Sequence, residues 1–104
     1  MEKTIKIGIN GFGRIGRTVF RLLLDHPTIK VVAINDLSDS RTLSHLLKYD
    51  SIHGVFKGKI SNDKNHIIVN NKKIPLQNER NIESINWNPY KVDFVIEATG
   101  KFRT

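Results

Sequence analysis

Three glycines, Gly11, Gly13 and Gly16, stand at the spacing G-x-G-x-x-G inside the stretch I-K-I-G-I-N-G-F-G-R-I-G-R, Ile5 to Arg17. The chemistry that needs this spacing is close approach to a pyrophosphate. Gly11 permits a sharp turn, Gly13 lets the backbone come near the phosphates, and Gly16 allows a helix to pack tightly on a strand. The first N–H groups of a helix lack partners within it, and the helix dipole adds partial positive charge at that end. A turn that leads into a helix is therefore an anion site. Such a triplet also arises by chance, so its flanks decide what it means. Before it, Ile5, Ile7 and Ile9 alternate as in a short buried strand. After it, Ile15, Val19, Leu22 and Leu23 stand at i, i+4, i+7 and i+8, which predicts one face of a helix. Strand, glycine turn and helix together read as a dinucleotide site.

A second candidate group lies twenty residues beyond Gly16. Lys30 to Asn35 reads K-V-V-A-I-N and ends at Asp36. A run so rich in β-branched residues suits a strand covered on both faces in a parallel sheet. Its end would then lie beside the glycine turn. There the Asp36 carboxylate could accept hydrogen bonds from the adenosine ribose hydroxyls and would repel a 2′-phosphate, which selects NAD over NADP. The other role open to Asp36 is to cap the following helix. Asp39 or Ser40 could serve as that cap instead.

The elements that must position these groups follow in order. The first strand is expected at Thr4–Asn10 and the first helix from about Arg14 to Asp25, stopped at His26-Pro27. Ser40 to Tyr49 predicts a second helix with Leu43, Leu46 and Leu47 on one face. Asp50 to Gly54 reads as an irregular connection. A β-rich patch follows at Val55–Ile60, His66–Val69 and Lys72–Leu76, with Asn70-Asn71 as a hairpin turn because Asn tolerates positive φ. Gln77 to Tyr90 is polar and loop-like, with one short helical turn. Val92 to Ala98 predicts a buried strand that runs into Thr99-Gly100, at the edge where open α/β sheets bind ligands. The fold expected is α/β, a Rossmann-type doubly wound parallel sheet, incomplete, with a small β-hairpin patch.

Composition narrows the rest. One hundred and four residues make one domain at most, and 38% hydrophobic residues can build one modest core. The sequence shows neither an apolar run of bilayer-spanning length nor a charged-then-apolar leader, so the expectation is a soluble cytoplasmic protein without a membrane partner. With no cysteine there is no disulfide, thiolate ligand or cysteine nucleophile. The net charge of +7 raises a nucleic-acid reading, since Lys57, Lys59, Lys64, Lys72 and Lys73 cluster around a single Asp63. No aromatic interrupts the run between Phe56 and Trp87 to stack on bases. A solvated basic surface is therefore expected, with no specific nucleic-acid partner. His26, His45, His53 and His66 lack metal-ligand spacing, so no metal site is expected.

Four segments taken together resemble one family. I-N-G-F-G-R-I-G-R (Ile9–Arg17), A-I-N-D (Ala33–Asp36), L-L-K-Y-D-S-I-H-G (Leu46–Gly54) and E-A-T-G-K-F (Glu97–Phe102) are similar in order and spacing to the amino-terminal third of glyceraldehyde-3-phosphate dehydrogenases. Erythrose-4-phosphate dehydrogenases share much of the pattern and remain the alternative. The resemblance implies an NAD-binding domain over residues 1–104 of a homotetrameric glycolytic enzyme, which oxidises an aldehyde to an acyl phosphate through a thioester. It implies that the backbone at Gly11, Phe12, Gly13, Arg14 and Ile15 cradles the pyrophosphate. Asn35 and Asp36 would hold the adenosine end, with Arg80 near the adenine. Ala98, Thr99 and Gly100 would form the opposite wall, with Phe102 nearby.

The family's catalytic cysteine and its activating histidine have no counterpart among these residues, so no catalytic residue is assigned and the chain alone is expected to be inactive. A stand-alone nucleotide-binding module is the competing reading. Either way, three parallel strands without a second half leave a strand edge open to other chains. The chain by itself is expected to be marginally stable and to aggregate; a cooperative melt from a monodisperse monomer would contradict that.

Overall fold

Ile5–Asn10 forms β1, the strand on which the glycine turn is mounted, and parallel neighbours flank it on both sides. The computed structural model describes residues 3–49 and 54–100. After β1 come α1 (Arg14–Leu23), β2 (Ile29–Asn35), α2 (Ser40–Tyr49), β3 (Ile60–Asp63), β4 (His66–Val69), β5 (Lys72–Gln77) and β6 (Phe94–Glu97). Two short 3-10 turns, Ile82–Ser84 and Asn88–Tyr90, lie between β5 and β6, where one was expected. The strands make one six-stranded sheet in the order β3-β4-β5-β2-β1-β6. β1 pairs in parallel with β2 and β6, and β3, β4 and β5 pair antiparallel in sequence. The β-rich patch is thus fused to the parallel sheet, because β5 joins β2 in parallel at Ile34↔Leu76 and Asn35↔Gln77.

The register between β1 and β2 shifts once. Ile5, Lys6 and Ile7 face Ile29, Lys30 and Val31, after which Gly8 pairs with Ala33, so that Val32 is the extra residue of a bulge. Beyond it Ile9 faces Ile34 and Asn10 faces Asn35.

The core joins Ile7, Ile9 and Ile34 of the parallel strands to Phe12, to Phe20 of α1, to Leu43 and Leu47 of α2, and to Ile67, Val69, Ile74 and Leu76 of the antiparallel strands. Both helices share one side of the sheet, since the Arg21 guanidinium in α1 donates to the Leu47 carbonyl at 2.6 Å near the end of α2. Elsewhere the Trp87 ring lies so close to β1 that a Cβ on Gly8 would stand 2.7 Å from it.

Three sequence expectations are corrected. The buried face of α1 is Gly16, Arg17 and Phe20, whereas Ile15 and Leu22 are 68% and 70% exposed. Gly16 has to face β1 for the helix to come close, and that turns Phe20, at i+4, inward and the Ile15–Leu22 stripe outward. Second, Val55–Lys59 is not strand; β3 starts at Ile60, where pairing with Val69 begins. The segment before it is tied to α2 instead, with the Phe56 N–H donating to the Lys48 carbonyl at 2.8 Å. Third, β6 is shorter than the expected Val92–Ala98 and only partly buried, with Phe94 63% exposed. Among the described residues β1 alone pairs with it. The Asn70-Asn71 turn does form, at φ 50° and 70°.

The basic meander is held by its one carboxylate. Asp63 accepts from His66 Nδ1 at 2.7 Å and lies 3.3 Å from Lys73 Nζ. The His66 hydrogen bond, above all, lowers the Asp63 pKa to about 2. A carboxylate depressed by folding stabilises the fold above its unfolded pKa of about 4 and loses that contribution as pH falls toward its folded value. Asp63→Asn should therefore be less stable than the parent at pH 6. The difference should shrink steadily between pH 4 and 2, as read by urea titrations across that range.

Candidate functional site

The carboxyl ends of β1 and β2 open into a groove of about 400 Å3. Asn10, Gly11 and Gly13 line it on the side of the glycine turn, and Asn35, Asp36 and Leu37 at the end of β2. Residues Glu79–Ile82 and Ile85 close one side, and Ala98 and Thr99 the other. A larger and more open hollow of about 600 Å3 lies between α2 and β3. It gathers none of the site residues expected from the sequence.

The geometry of the turn follows from its glycines. Gly11 has φ 94°, a conformation that L side chains rarely adopt, and a Cβ there would stand 2.8 Å from the Thr99 backbone nitrogen. At Gly16 a Cβ would lie 2.2 Å from the Gly11 carbonyl oxygen. At Gly13 it would meet nothing within 4 Å. Gly13 precedes α1, whose first turn contains no acidic residue, so no carboxylate of its own offsets the positive end of the dipole. The Arg17 side chain steadies the turn from below: it is 5% exposed and donates to the Phe12 carbonyl at 3.1 Å.

Asp36 sits across the turn. One carboxylate oxygen accepts from the Phe12 N–H at 2.7 Å and the other from the Ser38 N–H at 2.9 Å. It does not cap α2, a task that falls to Asp39, whose carboxylate accepts from the Thr42 N–H at 2.7 Å. Hydrogen bonds from Thr42 hold the Asp39 pKa below its ordinary value. A carboxylate has about four lone-pair positions, so two backbone donors leave Asp36 further acceptor capacity.

A chain of amide and carboxylate groups runs across the sheet beneath the groove. The buried Asn35 side chain accepts from the Glu79 N–H at 2.9 Å and donates to the Glu79 carbonyl at 3.0 Å. It also donates to Asn10 Oδ1 at 2.9 Å. Asn10 in turn donates to Glu97 Oε2 at 2.8 Å, and Glu97 Oε1 accepts from the Thr99 N–H at 3.1 Å.

Of the residues singled out in the sequence, Gly11, Gly13, Asn35, Asp36, Arg80, Ala98 and Thr99 come together around the groove. Phe12, Arg14, Ile15 and Gly100 are not among its lining residues. The Phe12 ring is fully buried and packs edge-on against Phe20, with ring centroids 5.8 Å apart. Arg14, Ile15 and Gly100 are exposed, and Phe102 and His53 lie outside the described residues. Asn10, Leu37 and Ile82 were not anticipated. A polar residue closing an apolar strand was the signal available for Asn10; for Leu37 and Ile82 the sequence offers none. Among the described residues no group of His, Asp or Glu is placed to hold a metal ion. None of the helices there is long and apolar enough to cross a membrane.

The two glycines of the second half of the motif should respond differently to a methyl group. Gly16→Ala forces α1 away from the turn and should cost about 1–3 kcal/mol of stability. Gly13→Ala, with open space and a φ of −76°, should change stability by less than about 1 kcal/mol. Thermal melts of the two variants beside the parent chain decide the matter, and equal losses would contradict the packing described.

The family model described as "Glyceraldehyde 3-phosphate dehydrogenase, NAD binding domain" matches residues 5–104. A glyceraldehyde-3-phosphate dehydrogenase of Geobacillus stearothermophilus is 53% identical over 98 residues, covering 94% of this chain and 29% of the relative. Those of Shimwellia blattae and Mycoplasma pneumoniae are 52% and 48% identical over 101 residues, each covering 97% of this chain and 30% of the relative. The chain therefore spans about 30% of the length of these relatives. With the glycine turn, the carboxylate at the end of β2 and the groove between them already in place, the match settles the family: this chain belongs to the NAD-binding domain family of glyceraldehyde 3-phosphate dehydrogenases.

Proposed function

We propose that residues 1–104 bind the adenosine side of NAD, as part of a phosphorylating glyceraldehyde-3-phosphate dehydrogenase that works in glycolysis, in the cytoplasm, as a homotetramer. The observation that carries the binding proposal is the groove of about 400 Å3, where the glycine turn, Asp36, Arg80 and the Ala98–Thr99 wall converge. The open space at Gly13 is where the pyrophosphate would rest, against the backbone of Gly11 to Ile15 and the positive end of α1. Asp36, with spare acceptor capacity, would take the ribose hydroxyls, and its charge would disfavour a 2′-phosphate. Leu37 and Ile82, 47% and 45% exposed, offer apolar surface suited to a flat base, with Arg80 beside it. Asn35 would act by holding the 79–82 loop, and Thr99 and Gly100 would bound the far wall.

Bound NAD would supply the hydride acceptor. The residues here would bind and orient it. The sequence contains no cysteine, so none of its residues supplies the thiolate that a thioester route requires.

Isothermal titration of the chain with NAD and NADP tests the proposal. NAD should bind more tightly than NADP, and absence of saturation near 1 mM NAD, a binding energy of only about 4 kcal/mol, would defeat it. Asp36→Ala should weaken NAD about tenfold and NADP less, in line with the loss of a charged hydrogen bond. Equal losses would remove the ribose role from Asp36. Gly13→Ala should keep the fold while weakening NAD.

A further inference from the structure

We infer that Asn10 is a positioning residue that fixes one wall of the groove against the other, and so sets affinity for the whole dinucleotide rather than for its adenosine part. The inference rests on the proposed NAD reading of the groove. Asn10 closes β1 in the centre of the parallel strands, between β2 and β6, and is 5% exposed. Both ends of its amide are engaged. Its oxygen accepts from Asn35, which grips both backbone groups of Glu79 on the side proposed for the adenosine. Its nitrogen donates to Glu97, which receives the Thr99 N–H and hydroxyl on the opposite wall. The two walls come from loops that follow different strands, β5 and β6. The backbone adds one more tie to the same residue, the Ala98 N–H donating to the Asn10 carbonyl at 2.8 Å.

The two ends of the amide are separable. Replacing Asn10 by Asp keeps an acceptor for Asn35 but sets a second carboxylate against Glu97. The adenosine side then stays anchored while the Thr99 wall is pushed away. Exchanging Glu97 for Gln in the same chain reverses donor and acceptor and restores the link, because the new amide donates to the introduced carboxylate and still offers an oxygen to Thr99. A residue that contributed only to stability would weaken every ligand alike.

The test is titration of the 104-residue chain with NAD and with AMP, alongside thermal melts. Asn10→Asp should weaken NAD about tenfold, the scale expected when a charged hydrogen bond is lost, and change AMP less than about threefold. The double variant Asn10→Asp, Glu97→Gln should bring NAD back to within about threefold of the parent. Unchanged NAD affinity in Asn10→Asp overturns the inference, as do equal losses of NAD and AMP. Should Asn10→Asp fail to fold, the double variant decides: restored NAD affinity supports the role, and NAD affinity still tenfold down overturns it. A parent chain that binds neither ligand defeats the NAD reading and the inference with it, whereas a parent that binds both with an inert Asn10→Asp defeats the inference alone.

Discussion

The constraint on which this structure rests is the approach of α1 to the turn that precedes it. The Gly16 Cα sits so near the Gly11 carbonyl that a methyl group has no room. That single contact brings Phe20 into the core against Phe12 and seats the Arg17 guanidinium beneath the turn. Interiors packed at crystal-like density leave little slack for such a contact to relax. The helix therefore stands at one depth relative to the sheet, and its positive end is aimed at the groove. Moving it would unseat the core and the turn together.

The sheet serves two purposes along its length. Where Ile7, Ile9 and Ile34 meet the helices it is apolar and carries the burial that stabilises the fold. At the carboxyl ends of β1 and β2 it becomes polar, and Asn10 and Asn35 are buried with their hydrogen bonds made. Buried amides without partners would cost about 1–3 kcal/mol each. Glu79 and Glu97 supply the remaining partners from the two sides of the groove. The groove is thus bounded by groups already satisfied by one another, which keeps its shape defined.

Much of this was legible in the residues themselves. Glycine spacing, alternating isoleucines and the distance to Asp36 located the turn and the end of β2, because each depends on local geometry. Asn70-Asn71 announced its hairpin for the same reason. What stayed hidden depends on the whole fold. Apolar periodicity selected Ile15 and Leu22 as the inner face of α1, yet Gly16, which has no side chain to count, decides which face turns inward. The burial of Arg17 has no signal in the sequence, because a buried guanidinium needs a carbonyl that only the folded turn presents. β3 begins later than its composition suggests, because its pairing with β4 sets where it begins. Phe94 looked buried because alternation says nothing about which neighbours a strand acquires.

The bulge at Val32 bears on all of this through parity. Side chains on a strand alternate between two faces, so a single residue added or removed exchanges inside for outside along everything downstream. β2 spends seven residues alongside the six of β1, and the extra one falls between Val31 and Ala33. Upstream, the strands are in the phase that pairs Ile5 with Ile29; downstream, in the phase that sets Asn10 opposite Asn35. The two phases cannot be served by one regular ladder. The irregularity is the joint that takes up the seventh residue: a seven-residue β2 without it could keep Ile5 opposite Ile29 or Asn10 opposite Asn35, but not both.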